Sequence, residues 1–170
     1  MAYIAFNGPM PTTAAQAKVT TGTAIKTLQQ IASPSTRQIR LIEWGFTLDA
    51  APATTGTGHV ELVDCNVAAT VTAYVASGMP NLDPNGPPSL CAVGTALSGY
   101  TGSAEGSITA TRMFDAKEVA GVSNGADPLT YNRTFMPGYQ PIVAVSRFLR
   151  TRCTFSAAVN IITWIVWDEI

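Results

Sequence analysis

The chain has 170 residues, of which 46% are hydrophobic and only 12% are charged, and its net charge is −1. This length suits one domain with its own core, and the lack of a basic block argues against nucleic-acid binding. No apolar run reaches the ~18 residues of a membrane span. The first residues lack the basic region and the apolar core of a signal peptide, so synthesis in the cytoplasm of the producing cell is expected.

The composition favours a β-rich protein whose surface touches other proteins. The charged fraction of 12% is half of the usual ~25%, and 14 glycines and 11 prolines supply frequent turns. A surface of small polar groups loses its water at low cost. Packing into a large assembly would use such a surface.

The N-terminal residues 1–17 are small and polar and contain Pro9 and Pro11. They predict an extended arm, which can become ordered on a neighbouring molecule. Residues 18–170 then form a single β-sandwich domain. Its first strand is predicted over 18–32, with a break near Gly22.

The strand predicted over 38–48 has apolar side chains on both faces. Strand alternation places on one face Ile42, Trp44, Phe46 and Leu48, and on the other Ile39, Leu41 and Glu43. The last twelve residues, 159–170, show the same two-sided pattern. We therefore expect one face of each strand to fill the core and the other to meet another chain.

The middle of the chain predicts short strands separated by turns. Residues 66–79 are ambiguous between helix and strand, and a short helix is favoured by the spacing of the apolar residues. Residues 79–106 form a long Pro- and Gly-rich loop, a type that is usually functional or held by a partner. Asn124-Gly125 indicates a tight turn. Further strands are predicted over 59–64, 107–114, 131–136, 142–150 and 158–168.

These elements predict a mainly β fold, an antiparallel β-sandwich that is jelly-roll-like, with an extended N-terminal arm and at most one short helix.

Few residues suggest chemistry. His59 is the only histidine, so a multi-histidine metal site is excluded by count, and no G-x-S-x-G accompanies it. Glu43 and Glu61 could be neighbours across a sheet, as a glycosidase pair would be. The three cysteines form no C-x-x-C pair and predict neither a disulfide framework nor a zinc site. We predict no catalytic, cofactor or metal residues, and no enzyme activity.

The tryptophans are the heaviest apolar groups and candidates for a subunit contact, where aromatics are favoured. Trp164 and Trp167 differ by three positions, so on a strand they point to opposite faces. We predict Trp44 and Trp167 at an interface with another subunit or a partner protein, with Pro9 and Pro11 in a contacting arm. Core packing is the alternative for the tryptophans.

Much of residues 38–169 resembles the minor capsid, or decoration (cement), proteins of tailed phages that infect actinobacteria. The E-W-G strand, the T-A-T-R run and the aromatic-acidic ending carry this resemblance. The segments are IEWGFTLDA (42–50), HVELVDCNVAATVTAYVASGM (59–79), DPNGPPS (83–89), TGSAEGSITATRMFD (101–115) and AAVNIITWIVWDE (157–169).

The resemblance implies a protein on the outer surface of an icosahedral virion, made in the host cytoplasm and commonly trimeric. It implies the major capsid protein as a partner, a homotrimer, and neither nucleic acid nor membrane as a ligand. The alternative is a carbohydrate-binding or host-adhesion jelly-roll module of a virion. The family has no catalytic motif, so no site residue follows from the resemblance.

Overall fold

The computed structural model describes residues 1–52, 56–121 and 130–170. Within these ranges the chain forms twelve strands and one turn of 3-10 helix, Ala76–Gly78. The strands are β1 (Ala2–Phe6), β2 (Val19–Thr20), β3 (Lys26–Ala32), β4 (Ile39–Leu48), β5 (Thr57–Cys65), β6 (Thr70–Ala73), β7 (Gly99–Ala104), β8 (Thr111–Ala120), β9 (Thr130–Thr134), β10 (Ile142–Val143), β11 (Phe148–Phe155) and β12 (Asn160–Glu169). The turn expected at Asn124-Gly125 lies outside the described residues.

The strands form two antiparallel sheets, which confirms the mainly β class and the sandwich. Sheet A has the order β1-β12-β4-β10, with β2 paired to β12 and β9 to β4. Sheet B has the order β6-β7-β3-β11-β5-β8. This order does not establish jelly-roll connectivity.

Several local predictions needed correction. The short helix expected within 66–79 is wrong, because Thr70–Ala73 form β6 and only Ala76–Gly78 turn helically. β6 begins with three consecutive β-branched residues, Thr70, Val71 and Thr72, and such residues prefer the pleated strand. The strand expected over 142–150 is two strands, separated near Ser146, whose φ of 56° is left-handed.

The core lies between the sheets and contains both candidate interface tryptophans. Trp44 and Trp167 have 0% exposure. Trp167 stacks on Tyr3 with ring centroids 5.9 Å apart, and Trp44 meets Tyr131 edge-on at 5.6 Å. Around them pack Leu28, Ile31, Leu62, Leu149 and Phe155.

A β-bulge explains the two-sided apolar pattern of β4. In the register with β12, Val166 pairs with Glu43 but Trp167 pairs with Leu41, so Ile42 is an extra residue. An extra residue reverses the alternation of faces beyond it. The residues buried on the two sides of the bulge, Ile39 and Leu41 before it and Trp44, Phe46 and Leu48 after it, therefore share the core. The prediction of two faces for these residues is wrong.

The N-terminal arm is also corrected in part. Residues Ala2–Phe6 pair along β12 from Asp168 to Trp164, and Tyr3 and Ala5 are buried. Residues 80–82 cover the outer edge of β1. The Ile4 amide donates a hydrogen bond to the Pro80 carbonyl, and the Leu82 amide donates one to the Ala2 carbonyl. The segment that remains outside the strands begins after Phe6, and within it Pro9 and Pro11 are exposed.

Polar groups close the flank between β8 and β9. The Asp115 carboxylate accepts hydrogen bonds from Trp44 Nε1 at 2.9 Å, Tyr131 OH at 2.8 Å and Arg133 Nη1 at 2.7 Å. Asp115 belongs to sheet B and the three donors belong to sheet A, so one carboxylate joins the sheets. Such charge-assisted bonds are stronger than neutral ones.

The arginines around β11 pair within the chain. Arg147 binds Asp64 at 2.7 Å, and Arg152 Nε binds Glu61 at 2.7 Å. Arg150 is fully buried, and it donates to the backbone oxygens of Val67 and Glu105. All three side chains are therefore paired within the fold.

Candidate interaction surface

The predicted interface tryptophans do not form a surface. Both lie wholly inside the sandwich, and Trp44 also holds Asp115 through its indole nitrogen. A side chain with 0% exposure has no area to offer a partner, so the prediction of a seam at Trp44 and Trp167 is wrong. Pro9 and Pro11 lie at the surface and stay candidates.

Seven of the twelve exposed large hydrophobic side chains among the described residues lie at one end of the sandwich. We call this the apolar end; it is formed by residues 33–38, 80–98 and 144–147 together with residues 1 and 170. Its exposed large side chains are Met1, Leu82, Leu90, Val93, Leu97, Val145 and Ile170. At the opposite end, among the described residues of 7–25, 49–57 and 156–160, only Ile25 is of this kind. Clustered apolar exposure marks interaction sites.

Groove 1 opens beside the start of β1. It has a volume of about 330 Å³ and is lined by Met1, Tyr3, Arg37, Pro87, Pro88, Leu90 and Glu169. Tyr3 OH donates to the Pro87 carbonyl at 3.3 Å and ties the proline wall to β1. Burial, aided by the negative charge of Glu169, raises the pKa of Tyr3, so this hydroxyl stays protonated at neutral pH.

Groove 2 lies on the other side of Leu90. Its volume is about 440 Å³, and its lining comes from the crossing between the sheets, the long loop and the start of β11: Ala32, Ser33, Pro34, Ser35, Thr36, Leu90, Ala92, Leu97, Ser146 and Phe148. Leu90 is 54% exposed and forms the ridge between the two grooves. The two grooves and the Leu90 ridge between them form one continuous, mainly apolar surface.

A buried carboxylate holds that ridge in place. Glu169, at the end of β12, accepts hydrogen bonds from Ser89 Oγ at 2.5 Å and from the Leu90 amide at 3.0 Å. The Cys91 thiol lies 3.5 Å from the same carboxylate. Glu169 is only 8% exposed, so these donors replace the water that it loses. The loop is therefore ordered by the sandwich and does not depend on its own sequence alone.

Asp168 joins the beginning of the chain to β4 on the same side. Its carboxylate lies 2.6 Å from the Met1 amino group and 2.5 Å from Arg40 Nη2. Burial by itself would raise the pKa of Asp168, but the hydrogen bonds and positive charges of these two groups outweigh it, and the pKa is lowered. The ionised form thus stabilises this corner of the fold.

The residues considered for catalysis are separated. Glu43 is in sheet A, where it accepts from Trp164 Nε1 at 2.9 Å, whereas Glu61 is in sheet B. They are not sheet neighbours, which removes the geometric basis of a glycosidase pair. His59 lies between Glu118, 2.7 Å from Nδ1, and Glu61, 3.3 Å from Nε2. Glu61 in turn accepts from Arg152 Nε, so these side chains form a hydrogen-bonded row across β8, β5 and β11.

The cysteines are small buried side chains. Cys65, Cys91 and Cys153 are free thiols, and burial raises the pKa of Cys153 to about 12. Within residues 1–52, 56–121 and 130–170 there is no group of three His, Cys, Asp or Glu side chains placed to hold a metal. In the same part of the chain no helix is long and apolar enough to cross a membrane.

The length of the loop after residue 79 was the sequence feature that indicated the apolar end, whereas the tryptophans indicated the wrong surface. Residues 79–106 were expected to form a loop that is functional or held by a partner because of its length. The loop is shorter than expected, because Gly99–Ala104 form β7. What could not be read from it is that Glu169, about 80 positions away, fixes its middle. No family model, no curated protein and no solved structure matches this chain.

Proposed function

We propose that this protein is a head decoration (cement) protein of a tailed phage, and that it acts as a structural part of the virion without enzyme activity. It is made in the host cytoplasm and binds the outer surface of the capsid as a homotrimer. Its partner is the major capsid protein, and it stabilises contacts between neighbouring capsid subunits. The likeness of its sequence to that family motivates this proposal.

The observation that carries the proposal is the apolar end. Leu90, Leu97 and Val93 stand exposed on an ordered loop, beside two grooves. A surface that is already ordered loses little conformational entropy on binding. The charge-poor composition adds support, because small polar groups lose water at low cost.

The mechanism is stabilisation by mass action. A protein that binds only the expanded shell stabilises that state by RT ln(1 + L/Kd) at each site, where L is the concentration of the free protein. Many copies on one shell act together, so each contact can be weak. The buried sandwich core supplies a rigid body that transmits force between the subunits it touches.

The test is binding to expanded heads that lack this protein, measured by co-sedimentation. We expect Leu90→Asp to reduce occupancy strongly, because it places a charge on the ridge between the grooves. Ile25→Asp is the matched control: Ile25 is 48% exposed against 54% for Leu90, but it lies at the opposite end. Equal binding of the two variants and the unchanged protein would contradict the proposal.

The contribution of the N-terminal arm is tested by substitution and not by deletion. Removing residues 1–17 would delete β1 and its pairing with β12, so a loss of binding would report misfolding. Replacing Pro9 and Pro11 by Ala leaves β1 intact and changes only the exposed segment. We expect lower head occupancy; unchanged occupancy would remove the arm from the mechanism.

A carbohydrate-binding or host-adhesion role is the alternative. Such sites use exposed aromatic rings, and here Tyr139, which is 81% exposed, is the candidate ring. Glycan-array binding that is lost in Tyr139→Ala, together with no binding to heads, would favour this alternative.

A further inference from the structure

Two opposite charges at the apolar end have no ion-pair partner among residues 1–52, 56–121 and 130–170. In the described part of the chain, Arg37 and Asp83 both lie outside the set of salt bridges, although most other charged side chains there are paired. Among the described residues, the Arg37 guanidinium makes a single hydrogen bond, a weak one to the Glu169 carbonyl at 3.4 Å. Both side chains are exposed.

Asp83 is presented by a rigid turn. The Asp83 amide donates to Asn81 Oδ1 at 2.9 Å, and Asp83 Oδ1 accepts from the Asn85 amide at 2.9 Å. Asn81 Nδ2 also donates to the Pro87 carbonyl at 3.0 Å. A Cβ on Gly86 would lie 2.2 Å from the Asn81 amide nitrogen, so the turn is closed tightly.

Leu82 and Asp83 therefore project together from this turn. Leu82 is 55% exposed, although its backbone amide is anchored on Ala2 at 2.8 Å. A segment ordered before binding pays less entropy when it docks. The turn therefore offers a binding partner one apolar side chain, Leu82, next to one carboxylate, Asp83.

Groove 1 has the complementary chemistry. Its walls are mainly apolar, with Tyr3, Pro87 and Leu90 on different sides, and Arg37 supplies a cation at the lining. The Glu169 carboxylate in the same groove is already occupied by Ser89 and Leu90. A volume of about 330 Å³ is at the small end of ligand sites and suits one or two side chains.

We propose that groove 1 binds the Leu82–Asp83 turn of a second copy of this chain, with Leu82 against the apolar walls and Asp83 paired with Arg37. Donor and acceptor are different, neighbouring patches of one surface. Copies that contact head to tail build a ring when the rotation closes, and copies related by a two-fold axis make the contact twice. The charge complementarity of the two patches selects a second copy as the occupant. The inference deepens the proposed function by naming the contact that joins the subunits.

The experiment is sedimentation velocity of the full chain over a concentration series, with four variants. Arg37→Glu and Asp83→Arg each place like charges at the contact, and we expect each to weaken self-association by at least about tenfold. The double variant Arg37→Glu/Asp83→Arg restores an opposite pair and should recover most of the loss. Lys26→Glu, a reversal of another cation without a salt bridge in the described chain, should associate like the unchanged protein.

Several results would overturn the inference. These are a monomer at every concentration, single variants that associate normally, or a double variant no better than the singles. Circular dichroism and urea midpoints of each variant show whether a loss of association is a loss of folding. Head binding is measured separately on the same proteins. A monomer that binds heads through Arg37 would refute the self-contact and the homotrimer but leave the head-binding part of the proposed function standing. An assembly that does not bind heads would refute head binding and leave the self-contact standing.

Discussion

Replacing Gly45 by Ala tests the packing of the outer face of sheet A. Gly45 lies in β4 between Trp164 of β12 and Asn132 of β9. An ideal Cβ at this position would be 2.3 Å from Trp164 Cζ2 and 2.6 Å from the Tyr131 carbonyl oxygen. Unstrained contacts between carbon atoms are about 3.5–4.0 Å. The added methyl group therefore has no room unless a strand or an indole moves.

Two effects oppose each other in this variant. Alanine in a strand gains up to about 1 kcal/mol over glycine because the unfolded chain loses freedom. Overpacking typically costs about 1–3 kcal/mol. One of the two clashing groups is the Tyr131 backbone, which cannot rotate away, and the other is an indole held by its bond to Glu43. We expect a net loss of about 1–2 kcal/mol, since the clash falls in the upper part of that range.

The assay is urea unfolding followed by tryptophan fluorescence. Gly22→Ala is the control, because the nearest atoms to its added Cβ are 3.8 Å away, an ordinary contact. Gly45→Ala combined with Trp164→Ala should remain less stable than Trp164→Ala alone, because the Tyr131 carbonyl is still in place. A Gly45→Ala midpoint equal to that of the Gly22→Ala control would refute this reasoning about the outer face.

Three further predictions concern the core, the pH dependence and the thiols. Trp167→Ala should cost about 3–5 kcal/mol of unfolding free energy at every protein concentration; a cost that appears only in the oligomer would return this residue to an interface. The pKa of Asp168 is lowered in the folded protein, so its ionised carboxylate stabilises the fold above the unfolded pKa of about 3.9, and the free energy of unfolding should fall as pH drops through the folded pKa. Asp168→Asn should make the free energy of unfolding, measured by urea titration, depend less on pH in this acidic range. An unchanged pH dependence would contradict the ion pairs of Asp168 with Met1 and Arg40. Ellman's reagent should label Cys91 and Cys153 quickly only in denaturant, because both are buried; rapid labelling of the native protein would disprove their burial.

The strand content could be predicted because it depends on local patterns. The strands over 39–48 and 57–65 were located to within two residues at each end, since both segments are rich in apolar residues and lie between turns. The break at Gly22 was also correct, because β2 ends at Thr20 and β3 begins at Lys26. The segment 66–79 failed because its alanines and its β-branched residues favour different structures.

The candidate surface was predicted less well, for a physical reason. Large apolar side chains mark both cores and interfaces, and nothing local distinguishes the two. Trp44 and Trp167 are core residues because β12 and β1 complete the sheet around them. The exposed apolar residues lie instead on the long loop, whose length was the better indicator.

By itself the sequence determined the β class, the charge-poor surface and the long Pro- and Gly-rich loop, because composition and turn residues act locally. Only the tertiary structure decided the role of each apolar side chain. The extra residue at Ile42 turns an apparently two-faced strand into one with a single buried face. Glu169 fixes a loop about 80 residues away. Both depend on pairing between distant segments, and pairing partners are not encoded in any local pattern.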